Sequence, residues 1–368
     1  MSVAPRFPIF LPSPVPAASG VSGIPLCHHN EMRFIPLLLI PALAGAQSWN
    51  LQHSGVTASL RGAAAVTGKV AWASGTGGTW LRTEDGGATW LSGQVPGAEK
   101  LDFRGLYAVD ARTAYLMSIG PGPQSRVYQT ENAGRDWKLL FTNPDARGFF
   151  DAIQFWDARH GIIVGDAVEG HMTVFTSDDG GGHWTHRETP AAVDREGAFA
   201  ASNSCLTVLG KNEVWFGTGG QGAGRVFHST DGGRSWTVAP TPIRNEAASA
   251  GIFSLAFSDA LHGIAVGGDY QKPTASDHNI ALTADGGRTW VEPSGTPPAG
   301  FRSAVFYLPD ARLWIVTGTS GSDVSSDGGQ SWHNFDRGNF NALAFAARNA
   351  GWAVGPKGRI AAILWAAP

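Results

Sequence analysis

Short apolar runs of three to five residues, each followed by a turn, recur along the chain, and none holds a helical period for a useful length. One set falls at residues 106–109, 152–155, 255–257, 304–307 and 343–345. Each run leads through Asp, Asn or Gly into a second apolar run that ends in glycine, at 161–165, 214–217, 263–267 and 351–355. A third run comes next, such as 225–228 or 279–282, and closes on a repeated octapeptide. The tryptophan ending that octapeptide starts a fourth run. Four short strands with turn signals between them predict one four-stranded antiparallel blade, copied many times.

The octapeptide occurs six times, at 83–90, 130–137, 177–184, 229–236, 283–290 and 325–332. Its type form is Ser229-Thr-Asp-Gly-Gly-Arg-Ser-Trp236. An aspartate followed by glycines is hairpin chemistry: the carboxylate bonds amides of its own turn, and glycine accepts positive φ without steric cost. The tryptophan supplies an apolar face for packing. The second copy carries Asn132 and Asp136 in place of Asp and Ser/Thr, and the third carries His183 at the Ser/Thr position. Five equivalent aspartates and one asparagine on six equivalent turns cannot converge on one substrate, so they are expected to serve the fold.

Successive tryptophans of the motif are 42 to 54 residues apart, one blade per step. After Trp332 one further set of runs, 341–345, 351–355 and 359–364, lacks both a motif and a fourth strand. The segment 48–55 at the other end of the chain resembles the stretch just after a motif, such as 289–295. The expected architecture is therefore all-β, a seven-bladed β-propeller whose last blade is closed by the N-terminal strand, leaving no free sheet edge. The composition fits, with 49 Gly and 22 Pro in 368 residues and only 15% charged side chains.

Residues 32–46 read as a secretory signal: Arg33, an apolar core, then Ala44 and Ala46 as a cleavage site before Gln47. The core is too short and proline-broken to span a membrane. Residues 1–31 are Pro-rich and precede that signal, either because translation starts at Met32 or as a disordered extension. The expected division is thus 1–31 extension, 32–46 signal and 47–368 propeller, secreted or periplasmic and monomeric. The mature chain would hold one cysteine, Cys205, expected as a buried apolar residue without a disulfide.

The octapeptide resembles the Asp box, or BNR repeat. Together with 155–165 and 349–355, the pattern is similar to the photosystem II stability/assembly factor family over residues 48–365. That resemblance implies a non-enzymatic propeller with a protein partner, a membrane-protein assembly intermediate among them. Sialidases and some endoglucanases share the box, which makes a glycoside hydrolase the alternative. The arginine motif of sialidases is matched only in scrambled form, at 33–36 inside the signal. A cofactor-dependent oxidoreductase is a third reading, without any cofactor motif to carry it.

Aligning the starts of the inner strands places Arg61, Arg104 and Arg302 in one column, with Asp151, Asn203 and Asn341 as their counterparts in other blades. Converging guanidiniums would bind a carboxylate or other anion. A second column comes after the second strands: Asp166, then Asp269 and Tyr270, with Asp323 in the matching loop of blade six. No metal site is expected, because the 11 His residues show no ligand spacing. No cofactor is expected either: the glycines of 217–222 precede a strand, not the helix that a dinucleotide site requires. A net charge of −3 gives no reason to expect nucleic acid.

Overall fold

The computed structural model describes residues 47–365; the expected signal, the residues before it and residues 366–368 lie outside that range. Seven antiparallel sheets succeed one another around a central channel, and the inner strand of the seventh packs back against that of the first. Blade one runs outward through Leu60–Ala65, Ala71–Gly75, Thr79–Thr83 and Leu91–Gln94. The inner strands of blades two to seven are Asp102–Ala108, Phe150–Phe155, Leu206–Leu209, Ala250–Phe257, Ala304–Leu308 and Ala342–Ala347. The core lies between facing sheets; Ile162, Val164, Val174 and Leu206, Val214, Phe216, for instance, fill the space between blades three and four. Fully burying such a side chain contributes about 1.5–3 kcal/mol.

Blade seven is completed by Gln47–Gln52, paired antiparallel to Ile360–Trp365 from Gln47↔Trp365 to Gln52↔Ile360. Trp49 anchors this strand. It packs on Phe335, Phe340 and Phe345 with ring centroids 5.7–6.1 Å away, and its Nε1 donates to Ser322 Oγ of blade six at 2.9 Å. Blade five departs from the four-stranded pattern. Its outer strand shrinks to a single bridge in which Leu282 and Val291 exchange two backbone hydrogen bonds. Two residues further on stands Pro293, which has no N–H to continue the ladder.

Each octapeptide folds into the same hydrogen-bonded turn. Ser229 Oγ accepts the Gly233 amide at 2.9 Å and donates to Asp231 Oδ1 at 2.8 Å. Asp231 then accepts the Ser235 amide on Oδ1 and the Ser235 hydroxyl on Oδ2, at 2.8 and 2.6 Å. Gly232 and Gly233 lie at φ +72° and +84°, where a side chain would be strained. In the second copy Asn132 Oδ1 accepts the Asp136 amide and Asn132 Nδ2 donates to Asp136 Oδ2, so the exchanged pair rebuilds the turn with donor and acceptor reversed. In the third, His183 Nδ1 meets Asp179 Oδ2 at 2.6 Å. The turns also join neighbouring blades: Tyr115 Oη, Trp215 Nε1 and Gln52 Nε2 donate to the carbonyls of Gly180, Gly286 and Gly86 in the next blade.

The inner strand of every blade has a strand partner on one side only. Its other edge faces the channel, and polar side chains from neighbouring blades satisfy it. Asn203 Oδ1 accepts the Ile153 amide and its Nδ2 donates to the carbonyls of Ile153 and Leu106, spanning blades two and three. Ser74 Oγ donates to Phe103 O, Asn341 Nδ2 to Leu60 O and Ser303 Oγ to Asn341 O, while Ser254 Oγ accepts the Val305 amide. Ser202 Oγ donates across the channel to Ser303 O at 2.7 Å. Asn203, expected to bind a ligand, is thus spent on backbone groups, at φ +66° and buried.

Asp231→Ala removes the acceptor that organises its turn and lowers stability by about 1–2 kcal/mol, measured by denaturant unfolding, with any ligand binding of the folded protein unaltered. A chain beginning at Val56 loses the closing strand and leaves Ile360–Trp365 as an open edge; its melting temperature falls well below that of a chain beginning at Gln47, or it aggregates.

Candidate functional site

In an antiparallel blade, the start of the inner strand and the end of the second strand share one rim, and the octapeptide turns lie at the other. The two columns of candidate residues therefore meet away from the turns. Asp166, just beyond Gly165, donates its amide to Phe149 O at the start of the inner strand. A cavity of about 390 Å³ opens at this rim, lined by Arg61, Arg104, Asp151, Asp166, Tyr270 and Asn341 together with aromatic side chains. A wider groove of about 730 Å³ runs along the closing strand between residues 51–57 and 356–360 and holds none of these groups.

The arginines divide into two kinds. Arg302 does not reach the cavity: it is fully buried, its Nε donates to Asp323 Oδ2 at 2.6 Å, and its remaining donors go to Phe301 O, Ser320 Oγ and Ala299 O. Arg302 stands one place earlier in register than Arg61, its amide bonding Gly267 O as that of Leu60 bonds Gly355 O; Ser303 takes the cavity-lining place, Asp323 holds Arg302 as a loop anchor, and the expected column of three is a pair. Arg104 is partly engaged, with Nε on Asp102 Oδ2 at 2.8 Å and Nη1 on Ala200 O at 3.0 Å. Arg61 has no side-chain hydrogen bond or ion pair among the described residues. Burial, reinforced by the charge of Arg104 and offset by Asp102, lowers its pKa to about 10, so it stays charged at neutral pH.

Opposite these cations, blade three contributes two carboxyls. Asp166 accepts the Ala198 amide at 3.0 Å, and burial raises its pKa to about 6. Asp151 is 1% exposed. Its burial, and then the Asp166 charge, push it well above the carboxylate range, against the pull of the Ala200 amide and Arg104. Asp151 Oδ2 has no hydrogen-bond partner. Asn341 lines the cavity, but its amide is committed to Leu60 O. Asp269 lies outside it, buried beneath its own loop, where it caps the Gln271 amide. Tyr270 stands half exposed at the mouth, its ring edge-on to Phe253.

Within the aromatic wall, Phe253 and Phe301 stand at the inner-strand starts that the sequence aligns, whereas Phe199 falls outside the strand pattern. Phe199 stacks on Phe253 at 3.9 Å and 11°, and Phe301 meets Phe253 at 90°. Phe199 belongs to the segment between Arg187 and Leu206, which has no counterpart of similar length in blade one or two. The 52 residues between Trp184 and Trp236 are its only trace in the sequence. Among the described residues no cluster of three metal-ligating side chains occurs, and no helix is long and apolar enough to cross a membrane.

No protein-family model matches the chain, and no curated protein matches it in sequence. Solved structures do share its fold. A structure of YCF48 bound to D1 peptide superposes with a TM-score of 0.59 at 17% identity, covering 88% of this chain and 97% of that one. YCF48 from Cyanidioschyzon merolae gives 0.59 at 14%, covering 87% and 99%. The WD40 propeller domain of Doa1 gives 0.59 at 13%, covering 86% and 97%. At these identities the likeness establishes the seven-bladed propeller.

A carboxyl whose pKa is raised on folding binds its proton more tightly in the folded protein, so stability falls as pH rises from the ordinary carboxylate range through the raised value. Asp151→Asn removes that penalty. Its melting temperature exceeds that of the unsubstituted protein at pH 8 by more than at pH 5, measured by scanning calorimetry.

Proposed function

We propose that this protein is a binding module rather than an enzyme, and that it captures an anionic group of a protein partner in the cavity of Arg61 and Arg104. The carrying observation is Arg61: a charged guanidinium in a walled cavity whose donors no described residue takes up. Arg61 is half-buried, so its guanidinium is partly desolvated without a protein partner, a cost that an arriving anion offsets. The solved complex of a similar propeller, YCF48, with D1 peptide supports a peptide as the partner. The resemblance to photosystem II stability/assembly factors extends this to an assembly intermediate of a membrane protein. The segment 32–46 supports a secreted or periplasmic location.

Glycoside hydrolysis fits the arrangement less well. It needs two carboxyls flanking the scissile bond. Asp151 and Asp166 both come from blade three, just beyond the paired residues Phe150 and Gly165, and form one wall.

Arg61→Ala tests the reading. Peptides with free carboxylates, selected from a library on the unsubstituted protein, bind the variant at least tenfold more weakly, a loss of about 1.4 kcal/mol or more. Their affinity for the unsubstituted protein also falls as salt is raised, while circular dichroism and melting of the variant stay nearly unchanged. Undiminished capture by Arg61→Ala would place the site elsewhere on the ring.

A further inference from the structure

The cavity holds more than two arginines. Asp151 is among the residues lining the cavity, is buried almost completely, and its Oδ2 has no hydrogen-bond partner. Asp166 stands beside it, fixed by the Ala198 amide. A carboxylate ligand could not approach Arg61 past two ionised aspartates without strong repulsion. It could approach a protonated one, which offers an O–H where an ionised one offers only lone pairs. Resting on the anion-binding reading above, we propose that Asp151 and Asp166 act as a proton-holding, ligand-selecting pair: the cavity takes a carboxylate together with one proton. The ligand oxygen accepts from Arg61 on one side and from the carboxylic O–H of Asp151 on the other. No covalent bond changes; the proton comes from solvent and leaves with the ligand.

The surroundings support this assignment. Burial and mutual repulsion favour at least one proton on the pair, with Asp166 titrating at about 6. Apart from Arg61, the charged side chains around it are paired. Blade two supplies Arg104, on Asp102. The segment leading into blade four supplies Glu196, on Arg225, and the buried thiol of Cys205, whose pKa is also pushed up. Blade five supplies Asp269, near Lys272, and the phenol of Tyr270; blade six supplies Arg302, on Asp323. Blade seven presents the neutral amide of Asn341. The wall of Phe199, Phe253 and Phe301 adds a preference for a carboxylate borne on an aromatic or other apolar group.

The probe is 3-phenylpropanoate, titrated calorimetrically into the full protein between pH 5 and pH 8 in buffers of different ionisation enthalpy. Binding is expected to take up close to one proton above the titration of the pair, and to tighten as pH falls, by roughly tenfold per unit at most. The uncharged 3-phenylpropanamide is expected not to bind. Asp151→Asn, which keeps a donor and loses the charge, is expected to bind more tightly than the unsubstituted protein at pH 8 and to lose most of the pH slope. Asp166→Asn is expected to flatten the slope as well. Arg61→Ala abolishes binding at every pH. Binding with no proton uptake, or an unchanged slope in both asparagine variants, overturns the proposal and leaves the anion-binding reading standing. Failure of the probe to bind at any pH overturns the proposal, and the peptide experiment above then decides the broader reading.

Discussion

The constraint on which this ring depends is the unpaired edge of its inner strands. A blade can satisfy the backbone of its second and third strands with neighbours on both sides, but its innermost strand has a neighbour on one side only. Buried amides and carbonyls left open there would each cost about 1–3 kcal/mol. Asn203, Asn341, Ser74, Ser254 and Ser303 spend their side chains on those groups, and each bond crosses from one blade to another. The same bonds that remove the penalty therefore hold the blades in a circle. The octapeptide turns do the corresponding work at the far rim, where their carbonyls accept side chains from the preceding blade.

With the ring held at its axis and at one rim, the other rim is free to carry chemistry. The Ser202–Ser303 bond lies across the channel beneath the cavity and leaves a second compartment of mixed lining, Tyr107, Gln154, Ser204, Phe257 and Tyr307 among it, on the far side. The cavity above it gathers its charged groups from blades one, two and three and its aromatic ones from blades three to six. No single blade could build it. In the reading proposed above, that distribution serves the recognition of a small anionic group on a larger partner.

The fold was legible because its determinants are local. A Ser/Thr, an Asp and two glycines within five residues make the same turn wherever they stand, and even the Asn132–Asp136 exchange preserves it. Closure by segment 48–55 could be read from its likeness to the strand after a motif. The site was legible only by rim. The alignment of strand starts puts Arg61 and Arg302 in one column, yet in the structure Arg302 falls one place earlier, matching Leu60, and is locked to Asp323, 21 residues away in sequence. Which arginine finds a carboxylate is a tertiary fact that spacing does not encode. The same holds for Asn203, whose partners Leu106 and Ile153 are 97 and 50 residues distant. Phe199 sits in a connection without periodicity, and the shortened outer strand of blade five turns on Pro293 alone.

The strand that completes blade seven is the first of the described chain, and its partner is the last. During synthesis Gln47–Gln52 leaves the ribosome long before Ile360–Trp365 exists. At 5–20 residues per second that interval is roughly 15–60 s. Throughout it, Trp49 has none of the aromatic surfaces that will enclose it, since Phe335, Phe340 and Phe345 are also unmade. Earlier blades can stack as they emerge, but the circle has no final form until its two ends meet. Closure of the ring therefore waits for the last strand, and the length of the chain sets the earliest moment at which the circle can be completed.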